Sequence, residues 1–241
     1  MDINMLLDNR TTVLFDLDGT LLPFEQRTFI KSYFGQLIRK AVPLGFDKDR
    51  LIQGLWDGTD AMVANDGKQL NCDLFWDLFV PHMGRSRAEL EPIFNEYYAT
   101  EFDLAQDCLT ARPDHRPLLQ SIRDRGCGVV LATNPLFPPV AVETRLGWVG
   151  LTASDFDHIT TYENSRYCKP NPDYYRALLC DIGKHPQECV MVGNNAREDM
   201  VAGTLGLATF LVTEHLENPE NADITQFRHG SFADLEAWLL A

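Results

Sequence analysis

Residues 11–20 read TTVLFDLDGT: a short apolar, β-forming run, then two aspartates, a glycine and a threonine. Runs of the same kind recur at 128–132 (GVVLA), 189–192 (CVMV) and 208–212 (ATFLV), and 158–162 adds a further candidate. Helical stretches separate them. Short, continuously apolar segments alternating with helices predict strands buried on both faces, hence a parallel sheet. The intervening helices are expected at 138–146, with prolines at its start, at 172–182, ending at Gly183, at 199–205, and at 231–240 with Ser231 as its cap. The fold class that follows is α/β, a Rossmann-like parallel sheet flanked by helices.

One region breaks the alternation. Between Leu22 and about Phe102 only helical periodicity is present, in four apolar stripes that open at Phe29, Leu51, Leu74 and Leu90. Such stripes are far more often core than binding surface. They predict an inserted all-helical cap subdomain over residues 22–103, with residues 1–21 and 104–241 forming the core.

Composition narrows the function. The chain has 241 residues, 45% hydrophobic and 23% charged, which suits a folded domain with a sizeable core. Asp and Glu number 35 against 21 Lys and Arg, a formal charge of −14 that repels nucleic acid and anionic lipid. A small phosphorylated metabolite remains open as a partner, because a metal ion and one lysine supply enough local positive potential. Six cysteines without a CxxC pair argue against a zinc cluster or a disulfide scaffold and suit a reducing cytoplasm. The opening MDINMLLDNR has no apolar core of leader length, and no stretch approaches a membrane span. A cytoplasmic protein without membrane or nucleic-acid partners is expected, as a monomer or homodimer.

The chemistry begins at Asp16-Leu17-Asp18-Gly19-Thr20. Side chains at the carboxyl end of a parallel strand face the crevice where α/β folds bind ligands. Two carboxylates two residues apart converge there once the chain turns at Gly19. One can attack while the other moves protons, and together they can hold a hard dication. An Asp/Gly turn is common in any protein, but further polar residues close the later strands. Thr133 and Asn134 end the second, Lys169 stands in CKPNPDYY, and residues 193–199 read GNNARED.

These ordered pieces resemble the haloacid dehalogenase-like superfamily, in its phosphatase branch with a helical cap after the first motif. The resemblance covers roughly residues 10–21 and 104–215. It implies that Asp16 is a nucleophile forming an aspartyl-phosphate, and that Asp18 is the acid that protonates the leaving oxygen and later the base. For Asp18 to hold a proton near neutrality, nearby negative charge and exclusion of water must raise its pKa. It further implies that Thr133, Asn134 and Lys169 bind the phosphoryl group, with Thr133 and Lys169 taking part in catalysis. Mg2+ is implied on Asp16, the Asp18 main-chain carbonyl, Asn194 and Asp199. Taken singly, Thr133 reads better as an ordinary β-former and Lys169 as a solvated surface lysine; two prolines that fix the backbone presenting the latter favour a functional role. Asn194 departs from the family, which usually has an acidic residue there. Weaker metal affinity is expected, with Glu198 as compensation.

Three rival activities are weighed. Carbon–halogen hydrolysis needs no leaving-group acid, and Asp18 argues against it. A phosphomutase uses the same aspartate pair. A low-activity phospho-ligand-binding regulatory module is favoured only by Asn194. For specificity, the turn at 65–68 is a candidate to face the site. Lys68, Arg85 and Arg87 are candidates for gripping a second anion, but each taken singly reads better as a solvated surface charge and none is counted in the site.

Overall fold

A computed structural model describes Leu7 and residues 11–241. The opening decapeptide, in which no leader is expected, otherwise lies outside the described residues. Six strands form one all-parallel sheet among the described residues. They are β1 (Thr12–Phe15), β2 (Gly128–Leu131), β3 (His158–Ile159), β4 (Cys189–Gly193), β5 (Ala208–Val212) and β6 (His229–Gly230). Their order is β3-β2-β1-β4-β5-β6, so the chain builds outward from β1 on one side and then returns to build on the other.

The pleat explains why the strands read as unbroken apolar runs. Val13 and Phe15, Val129 and Leu131, and Val190 and Val192 join one cluster. It includes residues of α5 (Arg116–Asp124), α6 (Pro139–Gly147) and α8 (Phe232–Leu240). Leu14, Val130 and Met191 face the opposite way, onto Tyr174, Tyr175, Leu178 and Leu179 of α7 (Pro172–Asp181). Neither face of the sheet is solvated, so no polar alternation survives in the sequence.

The insertion after β1 holds α1 (Gln26–Ala41), α2 (Lys48–Val63), α3 (Asn71–Met83) and α4 (Arg87–Ala99), then a 3-10 stretch, Glu101–Cys108. Its helices bury their stripes partly against each other and partly on the core. Tyr33 and Tyr98 share a hydroxyl hydrogen bond of 2.7 Å. Phe29 and Phe102 pack on Phe137 and Trp148 with ring centroids 5.5–6.3 Å apart. The two stems of the insertion meet at one point, where the Thr110 amide and hydroxyl both donate to the Pro23 carbonyl, at 2.8 and 2.9 Å.

Several elements differ from the sequence reading. β3 is two residues long, ending at Ile159 instead of Tyr162. Beyond it the Thr160 hydroxyl turns to the Thr133 carbonyl (2.7 Å) and the Tyr162 amide bonds to the Phe137 carbonyl (3.0 Å), which takes the chain off the sheet. Residues 199–205 form a 3-10 turn, Met200–Leu205, rather than an α-helix. The segment is short and contains Gly203, a poor helix former. β6 and α5 were not anticipated, because HG carries no apolar run and RPLLQSIRD is mostly polar.

His115, at the entry to α5, is buried beside Phe232. Its Nε2 lies 2.9 Å from the Leu21 carbonyl, which can only accept, so this nitrogen carries the proton. Burial pushes the His115 pKa down, against the Leu21 carbonyl and Asp114. The depressed pKa contributes stability above the ordinary histidine range, and that contribution is lost as the pH falls through the folded-state value. Melting temperatures followed from about pH 8 to about pH 5 should therefore fall on the acid side. A His115→Gln protein should show a shallower fall, and an equal fall would remove His115 as its source.

Candidate active site

The register of the sheet assembles the site. Phe15 stands opposite Leu131 of β2 and Val192 of β4, so the residues following each strand leave the sheet side by side. Asp16, Thr133 and Asn194 come together for that reason. The Asp16 amide donates to the Val192 carbonyl at 2.8 Å, holding the last residue of the run in line. The order reverses at β1, and this is where an α/β sheet opens a crevice.

After Asp16 the chain curls tightly, with the Leu22 amide donating to the Leu17 carbonyl (2.9 Å) and the Gly19 amide to the Leu22 carbonyl (2.8 Å). Gly19 has φ +78°, and a Cβ there would stand 2.1 Å from Asn194 Nδ2. Glycine meets both requirements without backbone strain or displacement of the Asn194 side chain. On the facing strand, a Cβ at Gly193 would stand 2.1 Å from Asp199 Oδ2, so the close approach of Asp199 depends on that glycine.

Lys169 is the centre of charge. Its side chain is 1% exposed, and Nζ lies 2.9 Å from Asp16 Oδ1 and 2.7 Å from Asp199 Oδ1. Burial opposes the charge on this ammonium, but the carboxylates of Asp16 and Asp199 outweigh it and hold its pKa well above the usual lysine range. Asn134 fixes the backbone that carries it, accepting from the Lys169 amide (3.2 Å) and donating to the Lys169 carbonyl (3.4 Å). The remaining Asp199 oxygen, Oδ2, accepts from the Asn195 amide at 2.9 Å. Asp199 is thus engaged on both sides, and burial pushes its pKa up against the pull of Lys169.

The Thr20 hydroxyl lies between Asp16 Oδ2 (3.3 Å) and Asn194 Oδ1 (3.2 Å). Asn194 Nδ2 donates to the His215 carbonyl at 2.6 Å, which leaves its amide oxygen facing the Thr20 hydroxyl. Thr133 is buried, and its carbonyl accepts from the Thr160 hydroxyl (2.7 Å) and the Tyr174 hydroxyl (3.0 Å). Glu198 bonds to Asn134 Nδ2 at 3.0 Å. Burial, opposed by Lys169, pushes its carboxyl up to about 7.

Asp18 has a partner that the sequence reading missed. Arg145 of α6 is 0% exposed, and its Nη1 lies 2.8 and 2.6 Å from the two Asp18 oxygens. Its Nε donates to the Ala141 carbonyl at 3.3 Å, its guanidinium stands 4.3 Å from the Phe137 ring centre, and Nη2 has no partner among the described residues. Burial raises the Asp18 pKa, the guanidinium opposes that rise, and the Asp16 carboxylate adds to it. A signal was present: in PPVAVETRL the apolar stripe of Ala141, Val142 and Leu146 also contains position 145. An arginine on a buried stripe needs a carboxylate partner.

A cavity of about 280 Å³ opens over these residues, lined by Asp16, Asp18, Thr133, Asn134, Asn194 and Asp199 from below and by inserted helices from above. The candidates for a second anion are elsewhere. Lys68 pairs with Asp66, Arg87 with Asp73 and Glu91, and Arg85 lies over Phe46 and donates to the Leu44 carbonyl. The turn at 65–68 does not line the cavity: Gly67 faces the Tyr167 ring, and Arg166 donates to the Lys68 carbonyl.

The fold is of the α/β class, a parallel sheet with an aspartate pair and a buried lysine at one lip. The chain belongs to the haloacid dehalogenase-like hydrolases, whose family model matches residues 11–204. It is 24% identical over 192 residues to the pyrophosphatase PpaX of Oceanobacillus iheyensis, covering 80% of this chain and 78% of that protein. It is 32% identical over 111 residues to a phosphoserine phosphatase of Thermus thermophilus, covering 45% of this chain and 43% of that one. A crystal structure of a HAD phosphatase from Thermococcus onnurineus superposes with a TM-score of 0.60 at 22% identity, over 95% of this chain and 97% of that one. Among the described residues no helix is long and apolar enough to cross a membrane.

Proposed function

We propose that this hydrolase is a magnesium-dependent phosphatase that splits a small phosphomonoester through an aspartyl-phosphate on Asp16. The observation that carries the reading is the Lys169 ammonium between Asp16 and Asp199, with Asp18 on the same strand end. An Asp16 oxygen attacks phosphorus as the bond from phosphorus to the alcohol oxygen breaks, and the Asp18 carboxyl proton passes to that oxygen. Water then attacks phosphorus and gives its proton to Asp18. The bond to Asp16 breaks, inorganic phosphate leaves, and both aspartates are restored. Lys169 balances the charge gathered on Asp16 and the transferring group, while Thr133 and Asn134 bind phosphoryl oxygens.

The donor set fits magnesium. Among the described residues no three acidic, His or Cys side chains gather as metal ligands, but magnesium takes few protein ligands and keeps several waters. Asp16, the Asp18 carbonyl and the Asn194 amide oxygen would hold it, with Asp199 acting through water. The ion, when bound, neutralises charge on the transferring phosphoryl group. A panel of phosphomonoesters assayed with magnesium and with chelator tests the reading. Phosphate release in magnesium alone is expected, and no release from any ester would overturn it.

Asn194→Asp should add a charge to the metal shell, so half-maximal activity should need several-fold less magnesium. The same change removes the donor to the His215 carbonyl, so melting in chelator should come at a lower temperature. An unchanged magnesium requirement would take Asn194 out of the metal site.

A further inference from the structure

The cavity above Asp16 is walled by aromatic side chains, among them Tyr33, Phe34, Trp56, Phe75, Tyr98 and Phe137. Among the described residues, no lysine or arginine lines it. The two cations nearest the chemistry are both committed, Lys169 to Asp16 and Asp199, and Arg145 to Asp18. Three cations of the inserted segment, Lys68, Arg85 and Arg87, are held by other partners. The charged groups that do line the cavity are carboxyls: Asp16, Asp18, Glu198, Asp199 and Glu217.

A leaving group bearing its own carboxylate or second phosphate would leave water for ring faces, carboxylates and a few neutral polar groups such as Gln26, Thr59 and Asn95, with no side-chain cation among the described residues lining the cavity to meet it. An apolar, planar group loses nothing there and gains contact with ring faces. Resting on the phosphatase reading above, we infer that the substrate is a monophosphate ester of a neutral, aromatic or bulky apolar alcohol. Phosphoserine and pyrophosphate, which relatives are named for, are then poor substrates of this chain. The aromatic helices select the alcohol; the strand ends address only the phosphoryl group.

The test compares leaving groups of similar intrinsic reactivity, so that a preference reports the pocket. 2-Phenylethyl phosphate, methyl phosphate and phosphoserine are all esters of unactivated alcohols, and pyrophosphate is run beside them in magnesium. The expected kcat/KM for 2-phenylethyl phosphate is about 100-fold above that for phosphoserine, methyl phosphate and pyrophosphate. Trp56 is 42% exposed at the cavity edge, so Trp56→Arg places a cation there without emptying the core. That variant should narrow the ratio to phosphoserine at least about tenfold. Phosphoserine or pyrophosphate turned over as fast as the phenylethyl ester by the native protein would overturn the inference and leave the phosphatase reading standing. Failure of every compound to release phosphate would sink both.

Discussion

Asp16→Asn should lower phosphate release by roughly 10⁴-fold or more, because the amide cannot form the covalent intermediate. The same substitution should not cost the fold. Asp16 and Asp199 share one ammonium, so the buried group carries one negative charge more than positive. Removing the Asp16 charge leaves Lys169 and Asp199 balanced and relieves repulsion between the carboxylates. In chelator the variant should melt at or above the native temperature. Rapid acid quenching of the native protein during turnover should trap phosphate on Asp16, and the variant should trap none. Residual turnover within tenfold of native would exclude Asp16 as nucleophile.

The second large effect is expected at Arg145. Arg145→Met fills most of the space between Phe29 and Phe137 but strips Asp18 of the one cation in direct contact with it among the described residues. Breaking a buried pair in this way costs about 3 kcal/mol, the low end of the usual range because 27% of the Asp18 side chain stays exposed. Loss of stability alone would mark a structural residue. A positioning role has its own signature in the pH profile. The guanidinium lowers the Asp18 pKa, so its removal raises that pKa. In kcat/KM, which reports steps up to departure of the alcohol, Asp18 must be protonated, and the alkaline limb should move to higher pH. Arg145→Lys should restore part of the stability and move the limb less. A limb that stays in place in both variants would confine Arg145 to packing.

Much of this arrangement was legible in the chain. The strands at β1, β2, β4 and β5 announced themselves because both faces of the sheet are covered, and polar residues begin where each strand ends. Asp16, Thr133 and Asn194 could be picked out for the same reason, whereas Lys169, well beyond β3 and just before α7, stood out by the two prolines that follow it. What could not be read were contacts between side chains far apart in sequence. Arg145 reaches back 127 positions to Asp18, and nothing local in ETRL states the direction of its guanidinium. Asn194 reads as a lost carboxylate, yet its amide nitrogen has a use, the bond to the His215 carbonyl, which an aspartate could not make. The surface cations of the inserted helices looked available only because their partners, Asp66, Asp73 and Glu91, cannot be assigned before the helices are placed.

The clip between Thr110 and Pro23 closes a long excursion of the chain with two hydrogen bonds to a single carbonyl. Because entry and exit coincide, helices within the excursion can lengthen, shorten or be exchanged without shifting the hydrogen-bond ladder of β1. A replacement must bring rings to cover Phe137 and Trp148 and renew the bonds that the Asn71 and Cys72 amides make to the Ser165 and Tyr162 carbonyls. A lineage in which the reacting aspartate stays fixed while the selecting wall is rewritten is the evolutionary outcome such a junction permits, and the same junction marks where recombination between relatives should yield folded chimeras.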